Sequence, residues 1–251
     1  MKVVGIIPAR LQSSRLPEKL LLSETGRPLI QYVCEIASGC ECLDEVIIAT
    51  DSPRIADAVR AFGGRAEMTG EHPSGTDRVA EVVRRCCGDA EIIVNLQGDE
   101  PELEATTVES LVQAIIDRRS EMATVAAPIT DPAVVRSPDC VKVVMTDLGN
   151  AMYFSRSPVP FPRDRSIEEL LSTSERSPWL LHVGLYAYRR DFLERLTQMP
   201  PSALEQLEKL EQLRALQSGA RIAVAVVERA AVGIDTRADY EAFMQRCVGK
   251  A

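Results

Sequence analysis

Short apolar runs alternate with stretches of helical spacing through the first half of the chain, and this alternation restricts the fold more than any other feature. Val3-Val4-Gly5-Ile6-Ile7, Glu45 to Thr50, Ile92 to Leu96 and Met122 to Pro128 read as strands. Pro28 to Ser38, Ser52 to Phe62, Thr76 to Cys87 and Ala105 to Arg118 read as the intervening helices. Ser52-Pro53 supplies a cap and a first-turn proline, and Gly63-Gly64 a stop. Repeated strand–helix–strand units predict an α/β fold: a mostly parallel sheet with helices on both faces, three layers in all.

The second half changes character. Val141 to Met145, Ala151 to Ser155 and Leu180 to Tyr188 read as strands without regular helices between them, and residues 157 to 178, rich in Pro, Ser and charge, as an exposed loop. A helix opens at Ser202, whose spacing to Glu205 is that of a capping box, and runs to about Gln217. A strand at Arg221 to Val227 and a helix from Thr236 follow. The simplest expectation is a single domain over residues 1–251 carrying a smaller β-rich insertion at about 140–190.

Charge and composition exclude several functions. A formal net charge of −8 argues against broad binding of nucleic acid. The apolar run from Val3 to Ala9 is too short to span a bilayer and is broken by Gly5 and Pro8, and there is no greasy leader with a cleavage site. A cytosolic protein with no membrane contact is expected. None of the seven cysteines has zinc-knuckle spacing, and two histidines cannot build a His-rich centre. A metal here must be held by oxygen, which points to Mg2+.

Chemistry concentrates in the segments that follow strands. After the first comes Pro8-Ala9-Arg10-Leu11-Gln12-Ser13-Ser14-Arg15-Leu16-Pro17-Glu18-Lys19. Within residues 1–19, Lys2, Arg10, Arg15 and Lys19 oppose only Glu18, a positive cluster suited to a polyphosphate at a strand end. Neither a P-loop nor a dinucleotide glycine motif is present. In Asn95-Leu96-Gln97-Gly98-Asp99-Glu100-Pro101, Gly98 lets the backbone approach a ligand, and Asp99 either holds a hard cation or caps the next helix. In Val232-Gly233-Ile234-Asp235-Thr236, Asp235 is a second carboxylate for that cation, or the start of a helix that Thr236 and Asp239 also fit. His72-Pro73-Ser74-Gly75-Thr76-Asp77-Arg78 offers groups to a planar base, with helix capping by Ser74 or Thr76 an equal reading.

Together these segments resemble the nucleotide-sugar-forming cytidylyltransferases, and later segments narrow the resemblance to the 3-deoxy-manno-octulosonate (Kdo) cytidylyltransferase, or CMP-Kdo synthetase, family. The later matches are Phe154-Ser155-Arg156-Ser157-Pro158-Val159-Pro160, His182-x-Gly184-Leu185-Tyr186-Ala187-Tyr188-Arg189 and Leu204-Glu205 through Leu210-Glu211-Gln212-Leu213-Arg214. One departure is Glu18, where the family usually has glycine. The resemblance implies a Rossmann-like nucleotidyltransferase sheet, with an insertion serving sugar binding and homodimerisation. It implies that CTP and Kdo give CMP-Kdo and pyrophosphate, for lipopolysaccharide assembly. Arg10, Arg15 and Lys19, with Pro8 and Ala9, are then expected on the triphosphate side of the nucleotide, and Ser74, Gly75, Arg78 and Gln97 on the cytidine. Asp99 with Asp235 would hold Mg2+, so that Arg10, Lys19, Asp99 and Asp235 form the catalytic set.

Arg156 and His182 suit the sugar carboxylate, while Tyr186, Glu211 and Gln212 suit its hydroxyls, with Arg163 a further candidate. Glu205, Glu208 and Glu211 also fit the polar face of an amphipathic helix, and the resemblance favours only Glu211. The alternatives are a cytidylyltransferase for a related sugar acid (8-amino-Kdo or a neuraminate) and a non-catalytic nucleotide-binding regulator. Retention of both aspartates counts against the regulator.

Overall fold

The wholly apolar runs become interior strands. β1 (Val3–Ala9) lies parallel to β2 (Glu45–Thr50) on one side and to β4 (Ile92–Asn95) on the other. Val4, Ile6 and Ile7 are completely buried, which is why β1 shows no polar alternation. β3 (Arg65–Met68) pairs with β2 on the outside, giving the order β3-β2-β1-β4. No apolar run announces β3. Its Arg65 pairs with Glu67 and Glu45, charges that suit an outer strand.

The computed structural model describes residues 1–13 and 15–248, so Ser14 of the first loop lies outside them. They fall into two compact units. The first, Met1–Glu109 with the segment from Ala231 onward, holds this parallel sheet, α1 (Leu29–Ser38), α2 (Pro53–Ala61), α3 (Gly75–Cys86), the start of α4 (Ala105–Asp117) and α10 (Arg237–Val248). Leu16, Leu29, Ile234, Tyr240 and Phe243 pack together and fix the ends of the cationic loop and of the Asp235 segment.

In the second unit, Ser110–Ala230, β5 (Met122–Pro128) runs parallel to β9 (Ile222–Val226) and antiparallel to β8 (Leu180–Arg189). β6 (Lys142–Met145) pairs antiparallel with both β7 (Ala151–Ser155) and β8. The β5–β8 register shifts between Thr124 and Val125. Thr124 faces Tyr186 while Val125 faces Val183, so Gly184 and Leu185 form a bulge. The α/β class is as expected. No helix among the described residues is long and apolar enough to cross a membrane.

The structure corrects two expectations in this unit and adds two helices. Residues 157–178 are not all loop: α6 (Ile167–Thr173) forms there, capped by Ser166, and buries Ile167 beside Ile129, Val135 and Trp179. At seven residues it is too short to show a period. Helices α5 (Pro132–Arg136) and α7 (Arg190–Gln198) also went unpredicted.

The helix from Ser202 has the expected capping box but breaks into α8 (Ala203–Glu208) and α9 (Gln212–Gln217), because Lys209 adopts the left-handed conformation at φ 54°. Along an unbroken helix Glu205 and Arg214 would stand about 13 Å apart. The fold-back instead makes their ion pair bidentate, at 2.8 and 2.5 Å.

Candidate active site

Within the first unit, the ends of β1 and β4, the loop into α3 and the Asp235 segment surround a cavity of about 410 Å³. Every residue expected on the nucleotide or the metal lines it: Pro8, Ala9, Arg10, Arg15, Lys19, Ser74, Gly75, Arg78, Gln97, Asp99 and Asp235. Gln12 and His72 line it as well. Parallel strands place their carboxyl ends on one side, so segments distant in sequence converge there.

Lys19 organises the carboxylates. Its ammonium donates to Asp99 Oδ2, to Asp235 Oδ1 at 3.0 Å and to the Ile234 carbonyl at 3.0 Å. Arg15 Nη2 lies 2.9 Å from Asp235 Oδ2. The Ile234 N–H donates to the Asp99 carbonyl at 2.9 Å, tying the two segments together by backbone. One cationic nitrogen therefore sits among three oxygens, two of them carboxylate, the donor chemistry a hard divalent ion takes.

The helix-capping alternative for Asp235 resolves simply. Thr236 caps α10 by accepting the Asp239 N–H, and Asp239 accepts back from the N–H groups of Thr236 and Asp235, which leaves the Asp235 carboxylate to the cations. Beside Asp99, burial first and the Asp99 charge second push the Glu100 carboxyl up to about 8. That keeps it neutral near pH 7 and concentrates the negative charge on Asp99.

Two glycines of the site also sit in close packing. A Cβ on Gly98 would lie 3.2 Å from Ile7 and 3.5 Å from Leu20, so the loop packs tightly onto β1 there. At Gly75 a Cβ would lie 3.3 Å from the Pro8 ring. Glu18 stands at φ 53°, the left-handed region, and its carboxylate grips the Arg54 guanidinium through both oxygens.

The loop into α3 is braced from behind. The buried Arg78 guanidinium donates to Asp51 Oδ2 at 2.6 Å and to Thr69 Oγ1 at 2.5 Å, while Ser74 caps α3 through the Asp77 N–H. His72 Nε2 lies 2.6 Å from Glu81 Oε2, which also accepts the Gly70 N–H. Asp51 and Glu81 escaped the sequence reading; only the position of Asp51 directly after a strand offered a signal.

The hydrogen bond from His72 is the main cause that brings the Glu81 carboxyl down to about 2 from 4.5. A depressed carboxyl stabilises the fold fully above its unfolded value and loses that contribution as pH falls through the folded one. Glu81→Gln is therefore expected to be less stable than wild type at pH 7. In urea unfolding, the gap should close as pH falls from 4.5 towards 2.

In the second unit, His182 stands edge-on to Phe154 at 4.9 Å between ring centroids and 5.5 Å from Tyr186. Burial, and next the Glu211 charge, raise the Tyr186 phenol above its ordinary value. Gln212 is buried, with its Nε2 lacking a hydrogen-bond partner. The Arg156 guanidinium donates to the carbonyls of Glu208 at 2.7 Å and Pro138 at 2.8 Å. The Glu208 carboxylate accepts the Ser155 hydroxyl and the Arg156 N–H, so Glu208 is a clamp rather than a solvated helix face. Arg163 is exposed beside Asp164. Burial drives the His182 imidazole down to about 3, which favours the neutral ring, with one N–H donor and one bare nitrogen acceptor.

A family model for cytidylyltransferases matches residues 4–222. The 3-deoxy-manno-octulosonate cytidylyltransferase of Rhodopirellula baltica is 46% identical over 248 residues, covering 98% of each chain. That of Geobacter sulfurreducens is 46% identical over 251 residues, 98% of this chain and 99% of the relative. A solved structure of CMP:2-keto-3-deoxy-manno-octonic acid synthetase complexed with CTP superposes with a TM-score of 0.91 at 43% identity, covering the whole of both chains.

Proposed function

Because this chain belongs to the 3-deoxy-manno-octulosonate cytidylyltransferase family, we propose an assignment of its cavity and of the polar group in its second unit to the steps of that reaction. The enzyme transfers CMP from CTP to Kdo, giving CMP-Kdo and pyrophosphate and activating Kdo for lipopolysaccharide synthesis. The observation that carries the assignment is the meeting of Asp99 and Asp235 on one ammonium in a cavity also lined by Arg10, Arg15 and Arg78.

The anomeric hydroxyl of Kdo attacks the α-phosphorus of CTP, and pyrophosphate leaves in line. Charge stabilisation is the main demand of such a step. Arg10, Arg15 and Lys19 take the triphosphate oxygens, near Pro8 and Ala9, and Ser74, Gly75, Arg78 and Gln97 shape the cytidine pocket. Arg78 acts largely by bracing the loop, since Asp51 and Thr69 already hold its guanidinium. Asp99 and Asp235 would hold Mg2+, whose bound charge neutralises phosphate oxygens and lowers the pKa of the attacking hydroxyl. On that reading Lys19 exchanges its carboxylate partners for phosphate.

Arg156 provides the positive charge for the sugar carboxylate; Tyr186, Glu211 and Gln212 hydrogen-bond hydroxyls. The unpartnered Gln212 Nε2 supports this, since a buried donor left unmade is costly. Residues 1–251 then act as one nucleotidyltransferase domain, and the β-rich segment at about 140–190 serves the sugar and a homodimer contact. The exposed apolar side chains Leu148 and Met152 support the latter. Free thiols at all seven cysteines support a reducing, cytoplasmic location.

Pyrophosphate release, measured for a panel of sugar acids against CTP, UTP and GTP, tests the reading. Kdo with CTP should be preferred, and faster release with 8-amino-Kdo or a neuraminate would reassign the sugar. Arg156→Ala should raise the KM for Kdo on the order of 10- to 100-fold, the worth of a hydrogen bond to a charged group, and leave the KM for CTP unchanged.

A further inference from the structure

Thr124 sits at the shifted register of β5 and β8, and its hydroxyl has three polar neighbours: the Leu185 carbonyl at 2.8 Å, the Val183 carbonyl at 3.2 Å and His182 Nε2 at 2.9 Å. A hydroxyl carries one proton, and a carbonyl can only accept. If Thr124 donated to His182, its oxygen lone pairs would face both carbonyls at these distances. If it donates to Leu185 instead, the His182 contact is satisfied when Nε2 carries a hydrogen and donates to Oγ1, and only the longer Val183 contact is left without a proton. The second arrangement leaves no acceptor facing an acceptor at the shorter two contacts.

The ring is held in place by Phe154 and Tyr186, and its other nitrogen, Nδ1, bonds to no described residue. No ion pair of His182 with a carboxylate occurs among the described residues, so nothing in its surroundings favours a second proton. We propose that Thr124 is a positioning residue that locks His182 in the Nε2–H form, leaving a bare Nδ1 to accept a hydrogen bond from a hydroxyl of the sugar acid. This rests on the proposed sugar role of Tyr186, whose ring lies 5.5 Å from that of His182, and gives His182 a hydroxyl partner in place of the carboxylate expected from the sequence. The bulge at Gly184 and Leu185 then has a purpose: it turns two carbonyls onto Thr124 and thereby fixes which imidazole nitrogen faces the substrate.

The chain has only two histidines, His72 and His182, so ring 15N spectra of the full-length protein contain two imidazoles, assigned with His182→Gln. Near neutral pH, His182 should show a proton on Nε2 and none on Nδ1, and Kdo should shift the Nδ1 resonance. Thr124→Val should populate both tautomers and raise the KM for Kdo about fivefold, the value of one hydrogen bond, with the KM for CTP unchanged. Thr124→Ser should restore both readouts.

A wild-type His182 found as the Nδ1–H form or the imidazolium overturns the proposal; if Kdo still perturbs that ring, the sugar-site assignment survives alone. An Nε2–H ring that ignores Kdo overturns both. A Thr124→Val variant with the wild-type tautomer removes Thr124 from the account. Should that variant fail to fold, the wild-type and Thr124→Ser spectra decide.

Discussion

Asp99→Asn lowers turnover of CTP and Kdo on the order of 10³-fold while the fold remains, the loss expected when a charge placed for the transition state is removed. Such a loss corresponds to about 4 kcal/mol of barrier. Asparagine keeps the shape, and Lys19 keeps Asp235 and the Ile234 carbonyl as partners, so the thermal midpoint should move little. Asp235→Asn should behave alike. If both carboxylates serve one ion, the double variant loses much less than the product of the single losses, because the second substitution removes a ligand already disabled. Pyrophosphate release under saturating substrates is the measurement. Wild-type-like turnover in Asp99→Asn removes the metal assignment.

Lys142→Met is expected to destabilise the protein by about 3 kcal/mol or more, the cost of leaving three buried carbonyls without their donor. Lys142 has no exposed surface, and its ammonium donates to the carbonyls of Ser137 at 2.9 Å, Cys140 at 2.5 Å and Arg156 at 2.7 Å. Three acceptors for three donors require the charged form, although burial pulls the lysine pKa below its ordinary value. Methionine fills a similar volume but leaves those carbonyls unmade. Urea unfolding at constant m-value reads the loss. A midpoint matching wild type would mean that the carbonyls find other donors. The KM for Kdo should rise too, since Arg156 loses its hold on that side.

These contrasts explain how much was legible. Strand–helix alternation exposed the parallel sheet because β1, β2 and β4 are built from uninterrupted apolar runs, and the cationic loop and the Asp99 segment drew attention because each follows directly from one of those strands. β3 stayed hidden because an outer strand of Arg, Ala, Glu and Met has no apolar signature. The break at Lys209 stayed hidden because Leu204, Leu207, Leu210 and Leu213 keep one helical period across it. Only the fold shows Leu207 exposed and Leu213 buried.

Supporting residues were the least visible. Lys142, Thr124, Glu81 and Glu208 act through partners brought near by pairing and packing, and none stands in a strand-end segment that would draw attention to it. The surroundings of His182 were equally out of reach. Its neutrality comes from burial, which sequence spacing does not carry.

The left-handed turn at Glu18 has a consequence for how this chain can vary. A side chain there is tolerated together with Arg54, thirty-six positions along the chain, whose guanidinium closes on its carboxylate. Glycine at position 18 would settle the turn without help and release position 54 to drift. With glutamate in place, losing the arginine strands an anion in an awkward backbone pose next to Lys19. Lineages carrying this glutamate should therefore inherit the two sites as a linked pair, while lineages with glycine should show them wandering independently.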